Sequence, residues 1–227
     1  MKLLKVISTI LLWLVFLLSF TKDAYAFPEI HINIPEYKLI LLDNNQIIKT
    51  YEIAVGSPRI IDQTPVGVFR VTEKEKYPVW YLTENEQKQL KMTGPIPPGP
   101  NNPLGTRWME FFPAYGIHGT IYDWSIDSAA SGGCIRMHNQ DAEDLYDRVF
   151  VGTPVIINYE TMIICKHSDG LYVKILPDVY NKKINTIEHY LEVIKPYLSK
   201  YPLIVTKILI IESNDEYEIK IANNLQN

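Results

Sequence analysis

The chain has 227 residues, 47% of them hydrophobic and 21% charged, with 22 Lys and Arg against 26 Asp and Glu and a formal net charge of -4. These proportions are those of an ordinary globular protein and exclude a disordered tail, a collagen-like chain and a polytopic membrane protein. An acidic balance removes the electrostatic basis for binding nucleic acid. Fifteen tyrosines, set among Ile- and Val-rich runs, predict a strand-dominated fold.

At the N-terminus, Lys2 and Lys5 precede an apolar run from Val6 to Phe20, followed by Ala24-Tyr25-Ala26. A charged start, an apolar stretch short of the roughly 20 residues of a membrane span and small residues before a cleavage point are the marks of a secretory signal peptide. Residues 1–26 are therefore expected to be removed, with the mature chain starting at Phe27 outside the cytoplasm. The alternative is an uncleaved signal anchor, in which case membrane contact runs through this segment alone.

Strands are predicted from Tyr37 to Leu42 and from Ile47 to Val55, joined at Asp43-Asn44-Asn45, where asparagines tolerate the positive φ of a hairpin turn. Gly56-Ser57-Pro58 ends the second run, and Thr64-Pro65-Val66-Gly67 leads into a strand at Val68 to Thr72. The proline-dense stretch from Gly94 to Pro103 lacks the backbone donors of a sheet interior and predicts a loop, a candidate lid or binding wall. A helix is predicted after Cys134, with Asn139 as N-cap, acidic residues in its first turns and Ala142, Leu145, Tyr146 and Val149 on one face. Gly152-Thr153-Pro154 stops it, and Val155 to Asn158 returns as a strand. Beyond residue 160 the pattern predicts a small α+β appendage: strands at 162–166 and 171–176, a helix from Thr186 to Leu198, a strand near Ile204 to Ile211 and a polar tail from Asn214.

Two cysteines are too few for a disulfide-stapled secreted domain. A single Cys134–Cys165 bridge is one reading. The surroundings of Cys134 favour a reactive thiol, and Cys165 reads as a small buried hydrophobe. A thiol attacks at neutral pH only when something lowers its pKa or accepts its proton, and histidine is the usual partner. His118, in Ile117-His118-Gly119-Thr120, lies sixteen residues before Cys134, in Ser131-Gly132-Gly133-Cys134-Ile135-Arg136. The glycine pair lets the backbone turn sharply, so the N–H groups of Gly133 and Cys134 are candidate oxyanion donors. Arg136 lies on the same side of an extended chain as Cys134, placed to favour a thiolate or bind a carboxylate, and Ser131 either bonds within the turn or touches substrate. His138 is the rival base, though a chain leaving the nucleophile to enter a helix would aim it sideways. His31, His167 and His189 form no cluster at ligand spacing, so no metal is expected. Trp108, Tyr122 and Trp124 read as packing aromatics or as groove lining.

These residues resemble the L,D-transpeptidases of the bacterial cell wall, the YkuD or ErfK type. That family's pattern is met at Ile117 to Thr120 and at Ser131 to Arg136. Asn139, Asp141-Ala142, Leu145-Tyr146 and Gly152 to Val155 are similar downstream, as are Gly56, Thr64 to Gly67 and Asn102 to Gly105 upstream. Gly132 departs from the larger polar residue, often His, of many members. The resemblance covers about 30–158 and implies a mainly β, sandwich-like catalytic domain at 27–159 with one helix after the cysteine and an extension at 160–227.

It further implies that Cys134 attacks the carbonyl of the third residue of a peptidoglycan stem tetrapeptide, expels the terminal D-Ala and passes the acyl group to an amine. Peptidoglycan stems then serve as donor and acceptor, carbapenems as inhibitors, and no cofactor is needed. His118 would act as acid and base, oriented by the Gly119 carbonyl. Water as acceptor would make the enzyme an L,D-carboxypeptidase instead, and an inert site would leave a wall-binding domain. In the NlpC/P60 endopeptidases the cysteine precedes the histidine, the reverse of the order here.

Overall fold

The computed structural model describes residues 28–223, apart from 83, 85, 86, 89, 90 and 200–215. The signal-peptide segment and the strand expected near 204–211 lie outside the described residues.

The protein is mainly β. Strand β1 (Glu29–Asn33) pairs antiparallel with β2 (Lys38–Asp43), which turns at Asn44 and Asn45, both at positive φ, into β3 (Gln46–Gly56). The hairpin predicted from the Asp-Asn-Asn group is thus formed by a turn of the expected kind. After β4 (Gly67–Arg70) and β5 (Glu73–Lys76) come β6 (Arg107–Phe112), β7 (Tyr115–His118), β8 (Ala129–Ser131) and β9 (Ile135–Met137). Helix α1 (Asn139–Arg148) follows, then β10 (Pro154–Asn158).

These strands form one sheet in the order β4-β10-β1-β2-β3-β9-β7-β6-β5, with β8 also paired to β3. The sheet curls. Phe69 of β4 and Phe111 of β6 lie far apart in strand order, yet their rings are 5.4 Å apart. Curling lets one sheet behave as a sandwich around a single core built from Ile30, Ile32, Leu41, Ile53, Ile117, Ile135, Met137 and Val155, with Leu145 of α1 among them.

The segment after residue 160 makes a second small sheet, β11 (Met162–His167), β12 (Gly170–Ile175) and β13 (Tyr217–Asn223), covered by α2 (Ile187–Ile194). Thr186 caps α2 by accepting the His189 N–H at 3.2 Å. Met162, Val173, Ile175, Tyr190, Ile194 and Ile221 form its own core. The tail expected to be polar from Asn214 is, over 217–223, this third strand. Ile219 and Ile221 alternate with Glu218 and Lys220, so one face meets α2 while the other carries charge. The boundary at 159 is crossed by Tyr180, which is buried in the main core.

Candidate active site

Alternation along three neighbouring strands creates the site. Ile53, Ile117, Ile135 and Met137 point into the core with essentially no exposure. Every second residue therefore faces the other way. Strand β7 runs parallel to β9 with His118 opposite Arg136, and β6 brings Trp108 opposite His118. Cys134 immediately precedes β9, two residues before Arg136. Cys134, Arg136 and His118 consequently share one face of adjacent strands, away from the core. Cys134 and Cys165 are not joined in a disulfide, which overturns the bridge reading.

His118 is buried, its ring stacked on Trp108 at 5.7 Å between centroids. Trp108 reaches it across Gly116, where a Cβ would lie 2.5 Å from the indole. The Nδ1 atom is 2.5 Å from the Gly119 carbonyl oxygen. A carbonyl only accepts, so Nδ1 carries the proton and the lone pair of the neutral ring sits on Nε2. Burial pushes the imidazole pKa down to about 4; the Gly119 and Leu104 carbonyls pull it upward, and the Arg136 cation adds to the depression. At neutral pH the ring is uncharged.

Cys134 ends a turn held from several sides. Ser131 Oγ donates to the Cys134 carbonyl at 2.5 Å and accepts the Gly133 N–H at 3.0 Å. Thr64 Oγ1 donates to the Gly133 carbonyl at 3.0 Å and accepts the Gly56 N–H at 2.8 Å, and the Thr64 N–H reaches the Tyr180 hydroxyl at 3.1 Å. Gly133 sits at φ +112° over Tyr115, whose ring would lie 2.4 Å from any Cβ there. The turn therefore requires glycine at 133. Gly132 is different, with open space where its Cβ would be. The thiol Sγ lies 3.8 Å from the Ala114 carbonyl.

Two expectations need correcting. The Gly133 N–H is spent on Ser131 Oγ and is not directed at an oxyanion in this conformation. Ser131 accordingly works inside the turn. Asn139 is not the N-cap of α1: His138 holds that position without a side-chain cap, and Asn139 is the first helical residue. Its amide instead accepts the Thr106 N–H at 3.0 Å and donates to the Thr120 carbonyl at 2.9 Å.

Arg136 is half-buried, its guanidinium 5.7 Å from the Tyr122 ring centroid and its Nη1 3.4 Å from Ser125 Oγ. Burial lowers its pKa, opposed by Cys134 and Tyr122. His138, the rival base, pairs with Asp123 at 2.9 Å near the surface. His31 pairs with Glu29 and His167 with Glu218. Among the described residues no group of three or more His, Cys, Asp or Glu converges as metal ligands would. Trp124 is 79% exposed and leans on Tyr122, so it is not a core aromatic. Cys165 is half-buried on β11, its thiol pKa raised by burial and by Glu218.

The proline-rich loop is irregular as expected and anchored by Asn102, which is fully buried and donates to the carbonyls of Pro78, Ile96 and Pro97. The sequence assigns no role to Thr64 or Asn102, and to Asn139 only that of a helix cap. The signal available was an amide or hydroxyl side chain beside glycines that leave room for it.

Fold and site define a mainly β domain presenting a thiol, a buried imidazole and a guanidinium on one sheet face. The chain belongs to the YkuD family: the L,D-transpeptidase catalytic-domain model matches residues 28–157. It is 37% identical over 138 residues to the putative L,D-transpeptidase YkuD of Bacillus subtilis strain 168, covering 60% of this chain and 70% of that protein. It is 30% identical over 146 residues to the probable L,D-transpeptidase ErfK/SrfK of Escherichia coli K12, covering 61% of this chain and 46% of that one. Among solved structures, the L,D-transpeptidase of Mycobacterium smegmatis matches with a TM-score of 0.44 at 20% identity, covering 59% of each chain. The L,D-transpeptidase LdtMt1 in complex with imipenem matches at 0.45 and 18%, covering 58% of this chain and 59% of that chain.

Proposed function

We propose that the protein is an exported L,D-transpeptidase that works through a thioester on Cys134. The observation that carries this reading is the parallel pairing of β7 with β9, which sets the His118 imidazole and the Cys134 thiol on one face with the ring's Nδ1–H already bonded to Gly119. The substrate inferred is a peptidoglycan stem tetrapeptide, as the resemblance to the L,D-transpeptidases implies, and the catalytic-domain match over residues 28–157 supports that reading.

In the first half-reaction the sulfur of Cys134 bonds to the carbonyl carbon of the stem's third residue, and His118 takes the thiol proton at Nε2. A ring kept neutral by burial is ready to accept it at neutral pH. The carbonyls of Gly119 and Leu104 stabilise the imidazolium that forms. Arg136 opposes that second positive charge and so favours passing the proton on to the departing amine of D-Ala. In the second half-reaction an acceptor amine attacks the thioester, its proton leaves through His118, and the thiol is restored. No ATP is required, because the thioester retains the energy of the broken peptide bond. Arg136, on the same face, is placed to bind a substrate carboxylate. Work on the wall would require a location outside the cytoplasm, which the charge and apolar pattern of residues 1–26 also leads one to expect.

The test is intact-mass spectrometry with tetrapeptide-bearing muropeptides, and with imipenem as a second acylating probe. An acyl adduct is expected on the wild type and is absent from Cys134→Ala and His118→Ala, with cross-linked dimers as product. Tripeptide without dimers would convert the assignment to an L,D-carboxypeptidase. An adduct persisting in Cys134→Ala would refute the mechanism.

A further inference from the structure

We propose that Asn139 is a positioning residue for His118, acting through the Gly119 carbonyl; the proposal rests on the reading of His118 as the base. The Asn139 side chain lies where three segments meet: the loop ending at Thr106, the chain leaving His118, and the start of α1. Its Oδ1 accepts the Thr106 N–H at 3.0 Å and its Nδ2 donates to the Thr120 carbonyl at 2.9 Å. The orientation of the amide is forced, since a flip would set its oxygen against a carbonyl and its NH2 against an N–H.

The fit is tight from two sides. A Cβ at Gly105 or at Gly119 would each lie 2.1 Å from Asn139 Oδ1. Both glycines leave the space that the amide fills. The Gly119 N–H is in turn held by the Arg107 carbonyl at 3.2 Å. The peptide between Gly119 and Thr120 is therefore fixed from both sides: the unit before it is held through the Gly119 N–H, the unit after it through the Thr120 carbonyl, and the Asn139 amide packs against Gly119. Its carbonyl, that of Gly119, receives His118 Nδ1–H. Leu104, the other carbonyl facing the ring, is two residues before Thr106 on the second segment that Asn139 holds. One side chain thus holds both segments that turn a carbonyl toward the imidazole, and the Gly119 bond sets the tautomer whose lone pair is on Nε2.

The role differs from simple structural support because it predicts a link between Asn139 and the state of the imidazole. Releasing the Gly119 peptide lets the ring turn and water enter, which relieves the burial that depresses its pKa. Three measurements on the full-length chain test this. In the wild type, NMR hydrogen exchange is expected to show the His118 Nδ1–H and the Asn139 side-chain NH2 protected to the same degree, because they open together. Asn139→Ala, and Asn139→Asp, which keeps the Thr106 acceptor, should each lower the rate of Cys134 acylation by imipenem about 10- to 100-fold. Each should also move the acid limb of the pH–rate profile upward from near 4 toward the ordinary 6.5, with the backbone amide spectrum otherwise retained.

Wild-type exchange in which the Asn139 amide opens freely while His118 Nδ1–H stays protected would overturn the proposal, whether or not either variant folds. So would variants acylated at the wild-type rate with an unmoved limb. Acylation that survives in His118→Gln would instead refute the base assignment, and the exchange measurement would still decide whether Asn139 holds the ring.

Discussion

Acidification should destabilise this protein over a window that belongs to one side chain. His118 is 4% exposed and its pKa is held down to about 4, against 6.5 for a free imidazole, chiefly by burial. Between those two values the unfolded chain binds a proton that the folded chain excludes, so stability rises with pH across the window and falls as pH drops through it. The two pKa values differ by about 2.5, and each pH unit is about 1.4 kcal/mol, which makes the penalty roughly 3 kcal/mol once the pH is below 4. Above 6.5 it vanishes. Asp144 behaves oppositely and elsewhere: Arg148 first, then Tyr51 and Lys49, hold its carboxylate well below the usual range, so its contribution is lost only below its ordinary 3.8. The two effects therefore separate along the pH axis. Urea unfolding of the wild type and of His118→Gln at pH 7.5, 6, 5 and 4 measures the difference. The wild type should lose about 2–3 kcal/mol more than the variant between pH 7 and pH 4. Parallel losses in the two proteins would refute the claim that burial of this imidazole governs the window.

Other outcomes follow from the packing around the site. Gly105→Ala places a methyl group 2.1 Å from Asn139 Oδ1 at a residue of φ +64°, and by overpacking and backbone strain it should cost about 2–4 kcal/mol in urea denaturation. Thr64→Val leaves the Gly56 N–H and the Gly133 carbonyl without their side-chain partner, so a loss of about 2–3 kcal/mol and slower acylation of Cys134 are expected, the latter read by timed intact-mass spectra. Gly132→His should fold with stability unchanged to about 0.5 kcal/mol, because nothing occupies the space of a side chain there; a large drop in its unfolding midpoint would contradict that geometry. Cys165→Ser should leave the acylation rate unaltered, since Cys165 is a free thiol on the second sheet.

The candidate site is legible in outline because reactive side-chain types are dense in a short span. A histidine between small and apolar residues, followed by Gly-Gly-Cys and an arginine in register, carries information that survives without any knowledge of folding. The hairpin at Asn44 and Asn45 and the amphipathic stretch of α1 were equally local. Strands β6 and β7 carry little sequence signal, because Trp108 and Gly116 look irregular until the indole is seen lying across the glycine. Strand β13 was hidden because its charged face made the whole tail look polar, although Ile219 and Ile221 alternate correctly. The Gly133 N–H goes to Ser131 and not to an oxyanion because a nearby hydroxyl can take a backbone donor in a turn, and sequence does not say which partner wins.

Residue identity and spacing alone pointed to the proposed kind of chemistry and determined the mainly β character and the helix after Cys134, since all three depend on side-chain type and short-range periodicity. Tertiary structure decided which groups meet. Only the parallel pairing of β7 with β9 brings residues sixteen apart onto one face, and only the packed interior keeps the imidazole neutral down to about pH 4. Hydrogen bonds and desolvation depend on what surrounds an atom in space, and neighbours from Thr64, Leu104 and Asn139 are brought there by the fold.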